Sequence, residues 1–227
     1  MSAFFVTSTG TDIGKTFVTA GLIHFLRGLS FPVTVLKPIV SGFSDGTAET
    51  SDPAMLLAAL GEPVTEEALD RISPWRFAEP LSPDMAAAAE DREIDFDVMV
   101  AYCRDAIKAA TGPVFVEGVG GVMVPLDAHN TVLDWMAALD LSAILVVGSY
   151  LGSISHTLTA LEVLKQRGLM VSALVISETG DGAVPTAGMV ESLRRFVGPE
   201  LAIAIIPRVA RAEDAQDNFA ELWSVIR

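Results

Sequence analysis

The sequence has 227 residues, and its 29 acidic side chains against 15 basic ones give a formal net charge of −14 at pH 7. Hydrophobic residues make up 51% of the chain and charged residues 19%, with a mean hydropathy of +0.46, which excludes an intrinsically disordered chain and indicates a sizeable core. The acidity argues against nucleic acids and anionic membrane surfaces as partners, because both require a basic contact surface.

Further global features point to a cytoplasmic protein. The single cysteine, Cys103, excludes an internal disulfide framework and a cysteine-rich zinc site. No apolar run approaches the roughly 20 residues that span a bilayer. The first ten residues lack the basic and apolar regions of a secretory signal, so none is expected.

Six short, continuous apolar segments have the composition of strands buried on both faces. They are 3–7, 33–36, 114–117, 143–148, 171–177 and 202–206. Helical patterns lie between and after them, at 15–29, 52–60, 96–110, 130–139, 153–167, 185–197 and 213–226. The segment 61–83, with four prolines, is the least regular and is expected to be a surface excursion. The alternation predicts an α/β fold: a three-layer, doubly wound, mainly parallel sheet with helices on both faces. We expect one domain, residues 1–227.

The first strand runs into the loop Thr7–Thr16, TSTGTDIGKT, and then into a helix. In this context a Gly-Lys-Thr sequence indicates a phosphate-binding loop, in which Lys15 reaches the β- and γ-phosphates and the Thr16 hydroxyl holds Mg²⁺. The match is imperfect, because Thr9 stands where the motif has glycine and the nearby glycine is Gly10. The acidic Asp12 would repel phosphate, so it is expected to point outward or to form an Asx turn; both remain open.

Two more charged residues follow buried strands directly. Lys37 follows the second strand and Glu117 ends the third. Because ligands of α/β proteins bind at the carboxyl edge of the sheet, Lys37 is placed to share charge on a transferring phosphoryl group and Glu117 to complete a Mg²⁺ site. Asp52 begins a helix after Ser51, which ordinary helix-start chemistry explains, so a metal role for Asp52 cannot be read from the local sequence. His156 near another helix start is expected to be structural.

Six segments of the sequence follow one another in this order: TSTGTDIGKT, LKPIVSG, SDPA, FAEPLSP, VEGVGGVMVPL and ILVVGSYLGSISH. Together they resemble the dethiobiotin synthetase family, over about residues 5–207. The resemblance implies a P-loop NTPase fold and an ATP- and Mg²⁺-dependent ligase of biotin biosynthesis. Diaminopelargonate takes up CO₂ as a carbamate, ATP phosphorylates the carbamate, and the second amine displaces phosphate to close the ureido ring.

The resemblance also implies a role for each matching residue. Lys15, Lys37 and Thr11 would be catalytic, and Thr16, Asp52 and Glu117 would hold Mg²⁺. The nucleotide would be bound by Asp12, Ile13, Gly14, Lys15, Thr16, Phe17, Ser177 and Pro207. The substrate would be bound by Lys37, Ser41, Leu151, Gly152, Ser153 and Ser155, the last four on a helix start that serves the other subunit of a homodimer.

The chain departs from the family pattern at four positions. Ser8 replaces glycine and Gly10 replaces aspartate in the loop, while Ser177 and Ser155 each replace asparagine. A serine at 177 cannot make the bidentate contact of an asparagine with adenine. Two alternatives remain: a partition- or Min-type ATPase, whose signature lysine is absent because Gly10 occupies its position, and a catalytically silent nucleotide-binding protein.

Overall fold

The computed structural model describes residues 2–44, 46–180 and 184–227. Its main sheet has six parallel strands in the order β2-β5-β1-β6-β7-β8. The strands are β1 (Ala3–Ser8), β2 (Thr34–Leu36), β5 (Val114–Glu117), β6 (Ser142–Gly148), β7 (Val171–Ser177) and β8 (Ala202–Ile206). All six predicted strands are present within one residue of their expected bounds, and the doubly wound α/β fold is confirmed.

Two hydrophobic cores, one on each face of the sheet, explain why the strands are apolar throughout. Alternate residues of a strand enter opposite cores: Phe4 and Val6 face one, and Phe5 faces the other. The first core receives α1 (Lys15–Gly28), α2 (Asp52–Leu60), α3 (Glu66–Ile72) and α9 (Gln216–Ile226). The second receives α4 (Pro83–Ala88), α5 (Phe96–Ala109), α6 (Val132–Leu139), α7 (Ser153–Gln166) and α8 (Thr186–Val197).

Helix boundaries follow local capping chemistry. Helix α6 begins at Val132 rather than at residue 130, because Thr131 and Asp134 form a capping box. The carboxylate of Asp134 accepts hydrogen bonds from the Thr131 backbone N–H at 2.8 Å and its hydroxyl at 2.7 Å. The last predicted helix is split, with a 3₁₀ turn at Ala212–Ala215 before α9.

The segment 61–83 is more regular than the sequence suggested, so the prediction of an irregular excursion was wrong. It contains α3, capped by the Thr65 hydroxyl, and β4 (Trp75–Phe77), which pairs in parallel with β3 (Ile39–Ser41) as a separate two-stranded sheet. Ile72 and Phe77 are buried. This small sheet packs beside the end of β2 and holds the chain that follows Lys37.

Helix α1 packs closely against α9, a helix that lies about 200 residues further along the sequence. The ring of Phe219 on α9 lies so close to Gly21 that a Cβ atom there would come within 1.9 Å of the ring. Gly21 is therefore required by packing, since any side chain would displace α1 or α9. Among the described residues, no helix is long and apolar enough to cross a membrane.

Candidate active site

The carboxyl ends of β1, β2 and β5 meet at one edge of the sheet and bring the predicted charged residues together. Lys15 and Thr16 open α1 directly after the loop that follows β1. Lys37 follows β2, and Glu117 ends β5, which lies between β2 and β1. All four side chains are buried. The site is thus a consequence of strand order, because β5 places its terminal carboxylate between the two lysine-bearing segments.

The phosphate loop owes its shape to Gly14, which precedes α1 with φ 97°. A Cβ atom at Gly14 would come within 2.6 Å of the Ser177 hydroxyl oxygen, so both backbone conformation and close approach require glycine. Asp12, at φ 57°, is exposed, and its carboxylate accepts no hydrogen bond from the described residues. This geometry favours the outward orientation over the Asx turn.

Lys15 is directed into the protein and its ammonium group is fully partnered. Its Nζ lies 2.9 Å from the Gly120 carbonyl oxygen, 3.1 Å from Ser8 Oγ and 3.3 Å from the Gly10 carbonyl oxygen. Burial and the neighbouring charge of Lys37 lower the pKa of Lys15 to about 8, against the opposing attraction of the site's carboxylates.

Lys37 is the central cation of the site, with only 2% of its surface exposed. Its Nζ donates to Glu117 Oε1 and to the Gly118 carbonyl oxygen, each at 2.8 Å, and lies 3.2 Å from Asp52 Oδ2. Burial alone would lower the pKa of Lys37, but the two carboxylates outweigh it and raise the pKa, so the side chain is charged at neutral pH. Ser73 supports the position by donating to the Lys37 carbonyl oxygen at 2.5 Å.

The carboxylate of Glu117 is fully buried and only half satisfied. Its Oε1 accepts from Lys37 and, at 2.6 Å, from the Thr16 hydroxyl, whereas Oε2 has no partner among the described residues. Asp52 opens α2 behind the Ser51 cap and keeps 44% of its side chain exposed. Burial opposes ionisation of Asp52, but the charge of Lys37 lowers its pKa, so Asp52 is charged as well.

The predicted metal residues offer one hydroxyl and two carboxylates. In the described parts of the chain no cluster of three His, Cys, Asp or Glu side chains has metal-site geometry. Hard oxygen donors are nevertheless the set that Mg²⁺ prefers when substrate phosphates supply further ligands. The unpartnered buried Oε2 of Glu117 fits a cation, because a buried carboxylate oxygen without a donor is otherwise costly.

Two adjoining cavities open on the phosphate loop. One, of about 500 Å³, is lined by six of the eight residues predicted to bind nucleotide: Asp12, Ile13, Gly14, Phe17, Ser177 and Pro207. The other two, Lys15 and Thr16, line the second cavity. Sequence reasoning missed Glu178, Thr179 and Arg208, which also line the first cavity. These residues come just after β7 and β8, at the same edge of the sheet, and this position could have been used to predict them as cavity residues.

Glu117 is fully buried and lines neither cavity, whereas the second cavity, of about 990 Å³, reaches the other charged residues of the site. It is lined by Thr11, Lys15, Thr16, Lys37, Ser41 and Asp52, all predicted from the sequence. Apolar side chains that sequence reasoning missed complete its wall, among them Met55 and Leu81, which are 45% and 41% exposed. The cavity can therefore take a molecule with a polar head and an aliphatic tail.

The predicted residues at the start of α7 do not join this site within one chain. Leu151, Gly152, Ser153 and Ser155 line neither cavity, and Leu151 is 89% exposed. The Ser153 hydroxyl is committed to the Gly148 carbonyl oxygen at 2.6 Å. His156 Nδ1 pairs with the Tyr150 hydroxyl at 2.8 Å, consistent with the structural role expected for it.

Comparison with known proteins identifies close relatives. Residues 2–216 match the family model described as an AAA domain. The ATP-dependent dethiobiotin synthetase BioD of Acidiphilium cryptum is 50% identical over 199 residues, covering 87% of this chain and 89% of the relative. The protein of the same name from Methylobacterium nodulans is 48% identical, covering 87% and 90%.

Solved structures with a similar fold are more distant in sequence. The cell division protein MinD of Aquifex aeolicus matches with a TM-score of 0.60 at 13% identity, covering 99% of this chain and 97% of that one. The cell division ATPase MinD of Pyrococcus furiosus matches with a TM-score of 0.58 at 17% identity, covering 99% of each chain. At such identities the likeness concerns the fold alone.

Proposed function

The chain belongs to the ATP-dependent dethiobiotin synthetases, and we propose that the site described above closes the ureido ring of dethiobiotin from diaminopelargonate, CO₂ and ATP. The observation that carries this proposal is the buried group of Lys37, Glu117 and Thr16 beside the phosphate loop. The alternatives of a Min-type ATPase or a silent nucleotide-binding protein have less support, since the MinD proteins share only the fold.

The phosphoryl group of ATP would be transferred at the point where the two lysines converge. Lys15 would reach the β- and γ-phosphates from the phosphate loop after leaving its inward position, while Lys37, charged and held by Glu117 and Asp52, faces the acceptor carbamate. Their positive charge stabilises the negative charge that develops on the transferring group. Thr11 and Ser41, both on the wall of the larger cavity, bind the carbamate and the diamine end of the substrate.

Thr16, Asp52 and Glu117 would hold Mg²⁺, which supplies charge neutralisation of the phosphates when bound. The unpartnered Oε2 of Glu117 and the hydroxyl and carboxylate donors support this assignment. Glu117 would also keep Lys37 oriented, because its Oε1 accepts a hydrogen bond from the ammonium group.

The nucleotide base and the substrate tail occupy different ends of the site. The base lies in the smaller cavity, between Phe17 and Pro207 and beside Ser177. The aliphatic chain of the substrate runs along Met55 and Leu81 in the larger cavity. The carboxylate of that chain is received by Leu151, Gly152, Ser153 and Ser155 of a second copy, which makes the enzyme a homodimer. We place this single-domain enzyme in the cytoplasm, where ATP is supplied.

A turnover experiment tests the proposal. ADP release and dethiobiotin formation are expected only when diaminopelargonate, bicarbonate, Mg²⁺ and ATP are all present. The matched control is a Lys37→Met variant, which keeps most of the unbranched side chain without the charged ammonium group. Hydrolysis of ATP that does not depend on the diamine, or no turnover under any of these conditions, would contradict the proposed function.

A further inference from the structure

The side chain of Ser8 has no part in the proposed chemistry, yet it stands at the centre of the contacts that hold Lys15. Ser8 ends β1 and is fully buried. Its Oγ lies 2.6 Å from the Gly10 carbonyl oxygen, 3.0 Å from the Gly120 carbonyl oxygen and 3.1 Å from Lys15 Nζ. One hydroxyl therefore connects the sheet, the phosphate loop and the loop after β5.

These contacts occupy the N–H donors of the Lys15 ammonium group. A serine hydroxyl has one hydrogen and two lone pairs, and its hydrogen goes to a carbonyl, with Gly10 the nearer at 2.6 Å. Its oxygen is then free to accept from Lys15. The three N–H donors of the ammonium group match three acceptors: Ser8 Oγ and the carbonyl oxygens of Gly10 and Gly120. A phosphate oxygen can engage Lys15 only by displacing at least one of them.

The two loops also touch through their backbones. The Val122 N–H donates to the Ser8 carbonyl oxygen at 3.2 Å, and a Cβ atom at Gly121 would come within 3.2 Å of the Gly10 nitrogen. The inward position of Lys15 is thus built into the junction of both loops, and within the described parts of the chain Ser8 is the one side chain that contacts the lysine and both carbonyls.

We propose that Ser8 is a positioning residue that stabilises the inward position of Lys15 and thereby lowers the affinity of the phosphate loop for nucleotide. The inference rests on the proposed function only in that Lys15 is taken to bind phosphate. A ligand that binds only when Lys15 is outward has its affinity multiplied by the fraction of molecules in which the lysine is outward, so a small outward fraction weakens binding. Loss of the Ser8 hydroxyl raises that fraction.

The test compares Ser8→Ala with the unaltered protein, using calorimetric titration with Mg·ATP in the absence of diamine. The dissociation constant is expected to fall by about tenfold, since a hydrogen bond to a charged group is removed from the inward state only. The melting temperature of the ligand-free protein is expected to fall as well. A residue with a merely structural role would weaken both affinity and stability.

Ser8→Cys provides a second variant, because its sulfur is a weaker acceptor of similar size, and it is expected to shift affinity in the same direction by less. Thr7→Val is the matched control: Thr7 is buried in the same strand, and its hydroxyl has no partner among the described residues. The control is expected to bind Mg·ATP as the unaltered protein does. Unchanged or weaker binding in both Ser8 variants, or an equal change in Thr7→Val, would overturn the inference. Failure of the proposed function would show differently, as normal ATP binding without dethiobiotin formation.

Discussion

Replacing Lys37 by methionine should separate the cost of burying Glu117 from the contribution of the lysine to turnover. Lys37 donates to Glu117 at 2.8 Å, and in the variant Glu117 keeps only the Thr16 hydroxyl, at 2.6 Å. Removing one partner of a buried ion pair costs about 3–5 kcal/mol. We expect a loss of about 3 kcal/mol, at the lower end, because Asp52 is 44% exposed and can turn to water.

The double variant Lys37→Met/Glu117→Gln identifies the origin of that loss. A neutral amide at 117 needs no counter-charge, so most of the lost free energy of unfolding should return. Turnover should not return, since the cation facing the phosphoryl group is still missing, and both variants should be about 10²–10³ slower than the unaltered enzyme.

Chemical denaturation of the ligand-free proteins measures the first quantity, and dethiobiotin formation at saturating Mg·ATP measures the second. A single variant within tenfold of normal turnover would refute the role of Lys37. A double variant no more stable than the single one would refute the account of Glu117 as an uncompensated buried charge.

Three further changes test other parts of the molecule. Leu151→Asp and Lys37→Met subunits should each be nearly inactive alone. If each site draws on both chains of a two-fold dimer, mixing the two variants should restore about a quarter of normal turnover. No recovery in a mixture shown to exchange subunits would contradict this. Ser177→Asn should raise the ratio of kcat/KM for ATP over CTP by about tenfold, through a bidentate contact with adenine, measured in parallel turnover assays. Burial raises the pKa of Asp134, but the hydrogen bonds from Thr131 and the charge of Arg167 outweigh burial and lower the pKa. The stabilisation of the fold by the ionised Asp134 is therefore complete above the pKa of the unfolded state and is lost as the pH falls towards the pKa of the folded state. Asp134→Asn should thus cost about 1 kcal/mol at pH 7, and this cost should shrink as the pH is lowered below the unfolded pKa, as measured by denaturation over that pH range.

The sequence predicted the main sheet well because buried parallel strands carry their signal locally. Each strand is a continuous apolar run closed by a small or polar residue, and none needs knowledge of its neighbours to be recognised. The strands β3 and β4 escaped this reasoning because they have three residues each and form a separate sheet through pairing between Ile39–Ser41 and Trp75–Phe77. The prolines nearby indicated a loop, and only long-range pairing overrides that signal.

The site shows the same division between local and long-range information. It could be predicted that Lys37, Glu117 and Thr16 lie close together. Lys37 and Glu117 follow or end strands of one parallel sheet, and Thr16 stands after the loop that follows another of its strands. The inward position of Lys15 could not, because it depends on the carbonyl oxygen of Gly120, which lies 105 residues away.

The close packing of Phe219 against Gly21 has a consequence for how this protein becomes able to bind ATP. Helix α1, which carries Lys15 and Thr16, packs closely against α9, and α9 follows β8, an edge strand of the sheet, so we expect α1 to reach its final position only once α9 has docked. Formation of the phosphate loop is therefore coupled to completion of the whole sheet, although every residue of the loop lies near the beginning of the sequence. A partly folded chain should bind nucleotide poorly, and bound nucleotide should in turn stabilise the docking of a helix some 200 residues further along.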